Sequence, residues 1–108
     1  MTIKELNLFG GSYYGNTYLK LNIPLEDQRE CLTEDICQIE YKEKNSVIDI
    51  GWYPNYAEIT NDSHFKVYII QNSDWENPIA AYSCYDISEL KSIIEMAITK
   101  FILKNNDT

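Results

Sequence analysis

Cys37-Gln38-Ile39-Glu40-Tyr41-Lys42-Glu43-Lys44-Asn45-Ser46-Val47-Ile48-Asp49-Ile50-Gly51-Trp52-Tyr53-Pro54 is the stretch whose reading decides the fold. Cys37, Ile39 and Tyr41 alternate with Gln38, Glu40 and Lys42, the period-two pattern of a strand with one buried face. Lys44-Asn45-Ser46 supplies turn residues, and Val47 to Tyr53 resumes the alternation with Ile48, Ile50 and Trp52 on one side. Pro54-Asn55-Tyr56 then ends the run, because proline has no N–H for a ladder. Gly51 lies inside this second strand, which predicts a close approach by another group where a side chain is missing. Trp52, sharing its face with Ile48 and Ile50, is assigned to the core.

Working outward, Asn61-Asp62-Ser63-His64 is a polar loop before Phe65-Lys66-Val67-Tyr68-Ile69-Ile70-Gln71, a strand by length and β-branched content. Asn72 to Pro78 forms a second loop, and Ile79 to Cys84 returns as a strand. Trp75 in that loop either staples it to the sheet edge or stands out as an interface anchor. Leu90, Ile93, Ile94, Ala97, Ile98, Phe101 and Ile102 then follow helical spacing. Asp86 with Glu89 reads as a capping box, Tyr85 with Leu90 as a hydrophobic staple, and Lys100 and Lys104 suit the last turns. A helix over residues 87–103 is predicted to cover the sheet.

The first third is less regular. Tyr18 to Ile23 alternates and is a candidate extra strand; Gly10 to Asn16 reads as a flexible loop or hairpin connection; and Pro24 opens a short helix over residues 25–33. The expectation is therefore one α+β domain over residues 1–108. Its antiparallel sheet has four or five strands in a meander, with a C-terminal amphipathic helix packed on one face.

Charge narrows the function. The chain of 108 residues carries net −8. From Glu26 to Glu43, seven carboxylates oppose only Arg29 and Lys42, leaving −5 in eighteen residues. Such a field argues against direct nucleic-acid binding, which needs a basic patch, and against an anionic membrane surface. It either solvates the chain or attracts a basic partner. Nine tyrosines and two tryptophans supply ring surface together with hydrogen-bonding groups, a composition favoured both in strands and at interfaces. The N-terminus lacks the apolar core of a signal peptide, and no apolar run is long enough for a membrane span, so a cytoplasmic location is expected.

Chemistry is sparse. His64 is the only histidine, and as a loop residue it reads as solvated. Cys31, Cys37 and Cys84 form no Cys-x-x-Cys pair and read as reduced, small apolar residues. Gly10-Gly11-Ser12 lacks the spacing and lysine of a phosphate loop. The chain is accordingly read as non-enzymatic, with no cofactor and no metal.

A resemblance sharpens this. Asp49-Ile50-Gly51-Trp52-Tyr53-Pro54, the strand Phe65 to Ile70, Asp74-Trp75-Glu76-Asn77-Pro78, and Ser88-Glu89-Leu90 at the head of the helix together resemble small bacterial immunity proteins. Those are the proteins encoded beside polymorphic toxins, including the toxins of contact-dependent growth inhibition. The likeness spans residues 46–103; the first 45 residues match no pattern of this kind. It implies an antidote that binds one cognate toxin domain, as a 1:1 heterodimer. Because many such toxins are nucleases with basic grooves, occlusion of an RNase-type active site by carboxylates is the expected mechanism. The partner-binding residues expected from charge and aromatic placement are Glu26, Asp27, Glu30, Glu34 and Asp35, with Tyr53, Tyr56, Glu58 and Asp62 as a second patch. The alternatives are a nucleic-acid-mimicking inhibitor of a DNA-binding protein and a non-catalytic adaptor domain.

Overall fold

The computed structural model of the chain describes residues 1–103; Lys104, expected in the last helical turn, lies outside them. Five strands form one antiparallel sheet in chain order: β1 (Ser12–Gly15), β2 (Cys37–Tyr41), β3 (Ser46–Tyr53), β4 (His64–Gln71) and β5 (Ala80–Cys84). The register aligns apolar residues across the sheet. Ile39 faces Ile48 and Ile48 faces Ile69, while Ile50 faces Val67 and Trp52 faces Phe65. All are buried, and the Trp52 and Phe65 rings meet edge to face with centroids 4.7 Å apart. Each such side chain contributes roughly 1.5–3 kcal/mol by leaving water.

The cover is an α-helix, α1 (Ile87–Ala97), continued by a wider π-type turn, Ile98–Leu103. Leu90, Ile94, Ala97, Ile98 and Ile102 are buried, as the helical spacing predicts. The widening coincides with Thr99, whose hydroxyl donates to the Glu95 carbonyl at 3.0 Å, a side-chain bond that loosens a helical ladder. At the start, Asp86 Oδ1 accepts from Glu89 N–H at 2.8 Å and from Ser88 Oγ at 2.9 Å. These bonds hold the Asp86 carboxyl below its ordinary range, with the Glu89 N–H the larger cause. Glu89 Oε1 reaches past the cap to Tyr85 N–H. The expected Tyr85–Leu90 staple does not form: Tyr85 follows the outward parity of β5 and is exposed, whereas Leu90 is buried under the sheet.

The first third corrects three expectations. Ser12–Gly15, read as flexible loop, is the edge strand β1. Gly15 permits this: it sits at φ +131, and a Cβ there would press on the Ile36 carbonyl oxygen and the β2 backbone. Residues 18–23 are not a strand and share only the isolated bridge Thr2–Lys20. The buried Gln28 explains why. Its Oε1 accepts from Lys20 N–H at 2.8 Å, and its Nε2 donates to the Lys20 and Ile23 carbonyls at 2.7 and 2.8 Å. Backbone groups that a ladder would use are thus consumed by a side chain. Residues 25–33 form no α-helix but two short 3₁₀ turns within Leu25–Cys31, broken at Gln28 (φ −146, ψ 40). Ile3, Leu19, Leu21, Leu25, Leu32 and Ile36 join the core with α1, so the N-terminal third is as much a cover for the sheet as the helix.

Asp86→Ala is expected to lower unfolding free energy by about 1 kcal/mol through loss of the cap. Because the folded pKa of Asp86 is depressed, the wild-type advantage is present above the unfolded carboxylate pKa. It fades as pH falls through the folded value. Urea unfolding at neutral and acidic pH checks both statements.

Candidate interaction face of the sheet

Covering one face leaves the other open, and parity determines what it carries. Tyr14, Gln38, Asp49, Tyr68 and Ala81 follow one another directly across the five strands, out of phase with the buried residues. Glu40 and Val47 pair on one side of this row, and Tyr53 and His64 on the other. The Tyr53 and His64 rings stack with centroids 6.3 Å apart, and Tyr85 meets His64 edge-on at 6.4 Å. Lys66 is a cation of this face, and its ammonium lies 5.8 Å from the Tyr68 ring centroid; Lys42 lines the hollow at the far corner. Trp75 borders the opposite corner, lining a hollow of about 230 Å³ with Gln38, Glu40, Val47 and Ser73. At 48% exposure it borders the face with half its surface in solvent.

One local device carries carboxylates to this face. Ile36 N–H donates to Ile50 O at 3.0 Å and Trp52 N–H to Thr33 O at 2.8 Å. The chain before β2 therefore stays bonded to β3, but Glu34 and Asp35 are looped out between those bonds. The Glu34 carbonyl passes directly over Gly51, where any Cβ would collide with it. This is the close approach that Gly51 predicts. On the other side, Ala57 N–H donates to Leu32 O at 3.0 Å, which ties the Pro54–Ala57 turn to the same segment. Asp49 is half-buried, and burial raises its carboxyl pKa; Asp35 adds to the rise, while the bond from Gln38 Nε2 at 3.2 Å opposes it. The Tyr53 hydroxyl is also pushed up, first by burial and then by Asp49 and Glu34. Tyr14, Gly15, Asp35, Gln38 and Asp49 line an open hollow of about 190 Å³. Among the described residues the one ion pair is Lys91–Glu95 at 3.5 Å, so none of them pairs with these carboxylates.

The nine residues expected at the interface are all placed, but not together. Glu34 and Asp35 join Tyr53 at the end of the open face. Tyr56 is exposed in the adjoining turn. Glu26 lies elsewhere, lining a hollow with Ile59, Tyr85 and Ser88, and Asp27 and Glu30 line a third with Tyr18 and Lys20. The break at Gln28 is the reason, since the two 3₁₀ turns present no common stripe. Glu58 and Asp62 extend exposed carboxylates from the loop before β4. Their backbones are structural: Glu58 O accepts from Trp52 Nε1 and Ser63 Oγ, both at 3.0 Å, and Asp62 O accepts from His64 Nδ1 at 2.8 Å. Asp49, Tyr14 and Tyr68 were missed as site residues; for Asp49 and Tyr68 the signal was parity, each falling out of phase with the apolar face of its strand, whereas Tyr14 carried no such signal.

The cysteines are buried and unpaired. Burial pushes the Cys37 and Cys84 thiols up to about 12, opposite to an activated thiolate. Among the described residues no group of three or more His, Cys, Asp or Glu could hold a metal ion, and no helix is long and apolar enough to cross a membrane. Comparison of the chain with protein-family models, curated proteins and solved structures finds no match.

Asp49→Asn is expected to stabilise the protein near neutral pH. A raised folded pKa means the cost of ionising Asp49 appears as pH rises through the carboxylate range and is complete above the folded value. The melting-temperature gain should vanish at acidic pH, where Asp49 is protonated in both states. Gly51→Ala should destabilise at the top of the roughly 1–3 kcal/mol range for overpacking, read by denaturant titration, because its neighbour is backbone.

Proposed function

We propose that this chain is an immunity protein that binds and neutralises a cognate toxin domain, acting in the cytoplasm as a 1:1 complex. The observation that carries the reading is the cluster Asp49, Glu34 and Asp35 on an uncovered sheet face, ringed by Tyr14, Tyr53 and Tyr68 and forming no ion pair among the described residues. A half-buried carboxylate without a counter-charge destabilises the free protein and is relieved when a partner supplies one. Tyrosine rings around it provide contact area at small entropic cost. The complementary surface is basic, as in a groove that holds phosphates, which favours a nuclease, and an RNase in particular, as the toxin. The resemblance of residues 46–103 to immunity proteins supports the antidote role. Net charge of −8 supports fast capture, toward roughly 10⁸ M⁻¹s⁻¹ at low salt.

The test is co-expression with the toxin domain encoded beside this chain, followed by pull-down and stopped-flow association. Glu34→Lys combined with Asp35→Lys should slow association by about tenfold or more at low salt and flatten its salt dependence. Glu26→Lys, in the hollow beside Ile59 and Tyr85 rather than in this cluster, should have the smaller effect. An on-rate that ignores the first pair of substitutions would remove electrostatic occlusion at this face.

A further inference from the structure

Among the described residues the outer edge of β5 has no strand against it, and the backbone phase of the sheet identifies what that edge offers. Asn72 N–H donates to Asn45 O at 2.8 Å, so the even residues of β4 bond toward β3. Ile79 N–H donates to Ile69 O at 2.9 Å, so the odd residues of β4 bond toward β5. Ala80, Tyr82 and Cys84 are therefore consumed by β4, while Ala81 and Ser83 aim N–H and C=O outward. Tyr85 N–H, the next outward donor, is already taken by Glu89 Oε1 at 3.2 Å, which ends the free edge there. Ala81 and Ser83 have small, exposed side chains. The strand Ala80-Ala81-Tyr82-Ser83-Cys84 contains no lysine, no proline and no charge, the usual guards of an exposed edge.

We infer that β5 is a docking edge for an extended, positively flanked segment of the partner, which pairs antiparallel through Ala81 and Ser83 as an added strand. Charge selects this occupant. Exposed Asp74 and Glu76 precede the strand and Asp86 and Glu89 follow it, whereas Lys66, the cation paired opposite Ser83, is directed over Tyr68. A second copy of the chain offers the same backbone pattern but brings the same −8, so it is the disfavoured occupant. The inference rests on the proposed function for the partner being a toxin, not for the strand geometry.

A peptide of alternating valine and threonine with two lysines at each end is the probe, titrated at millimolar concentration into the full-length protein and followed by amide NMR and hydrogen exchange. The expected result is slowed exchange at the Ala81 and Ser83 amides and none at Tyr13 and Gly15 on the opposite edge. A glutamate-flanked version should bind at least about tenfold more weakly. Ser83→Pro, which leaves the β4 ladder intact, should lower affinity about fivefold by removing one donor, while Ser83→Ala should not. Unchanged exchange at Ala81 and Ser83, equal binding of the two peptides, or sedimentation showing a dimer blocked by Ser83→Pro would overturn the inference. None of these bears on the toxin reading. That reading fails instead if the adjacent toxin is not bound while the peptide still is.

Discussion

The inner face of β3 is the constraint on which the rest of the molecule depends. Ile48, Ile50 and Trp52 are flanked on both sides by apolar partners, so this central strand must be dry along its length. A single helix of eleven residues cannot by itself shield a sheet five strands wide. The N-terminal third is therefore drawn beneath the sheet, with Ile3, Leu19, Leu21, Leu25 and Leu32 completing the cover. That segment lacks the regularity to satisfy its own backbone, and the buried Gln28 side chain satisfies it instead.

The same constraint produces the candidate site. With every cover on one side, the opposite face is left to the residues of other parity, among them tyrosines, carboxylates, a histidine and Lys66. The segment from Thr33 to Ile36 remains bonded to β3 after the sheet proper has begun to end, and it passes Gly51 with Glu34 and Asp35 looped outward. Packing below the sheet and negative potential above it are thus two results of one backbone path. Asp49, raised by burial and by Asp35, holds that potential at the centre of the face rather than at its rim.

Legibility followed the range of the interactions involved. β2 to β5 and α1 were readable because period two, helical spacing, the Asp86 cap and turn residues act within a few positions. Gly51 was readable as a place of close approach, though not that Glu34 would supply the carbonyl. β1 was missed because Ser12–Gly15 carries no apolar alternation; it is held by β2 and by the conformational freedom of Gly15. The Tyr18–Ile23 alternation misled because its apolar residues pack under the sheet without joining the ladder.

The amino-acid sequence by itself determined the α+β class, the order of the four later strands, the capped helix and the sign of the electrostatic field, since each is a sum of local preferences or of fixed charges. Tertiary structure alone decided which of the seven acids from Glu26 to Glu43 share a surface. It placed Glu34 and Asp35 beside Asp49 and Tyr53, turned Glu26 elsewhere, and left Ala81 and Ser83 at an unpaired edge. The reason is physical: neighbours across a sheet are set by register and by a kink at one buried glutamine, and neither is written in the spacing of charges along the chain.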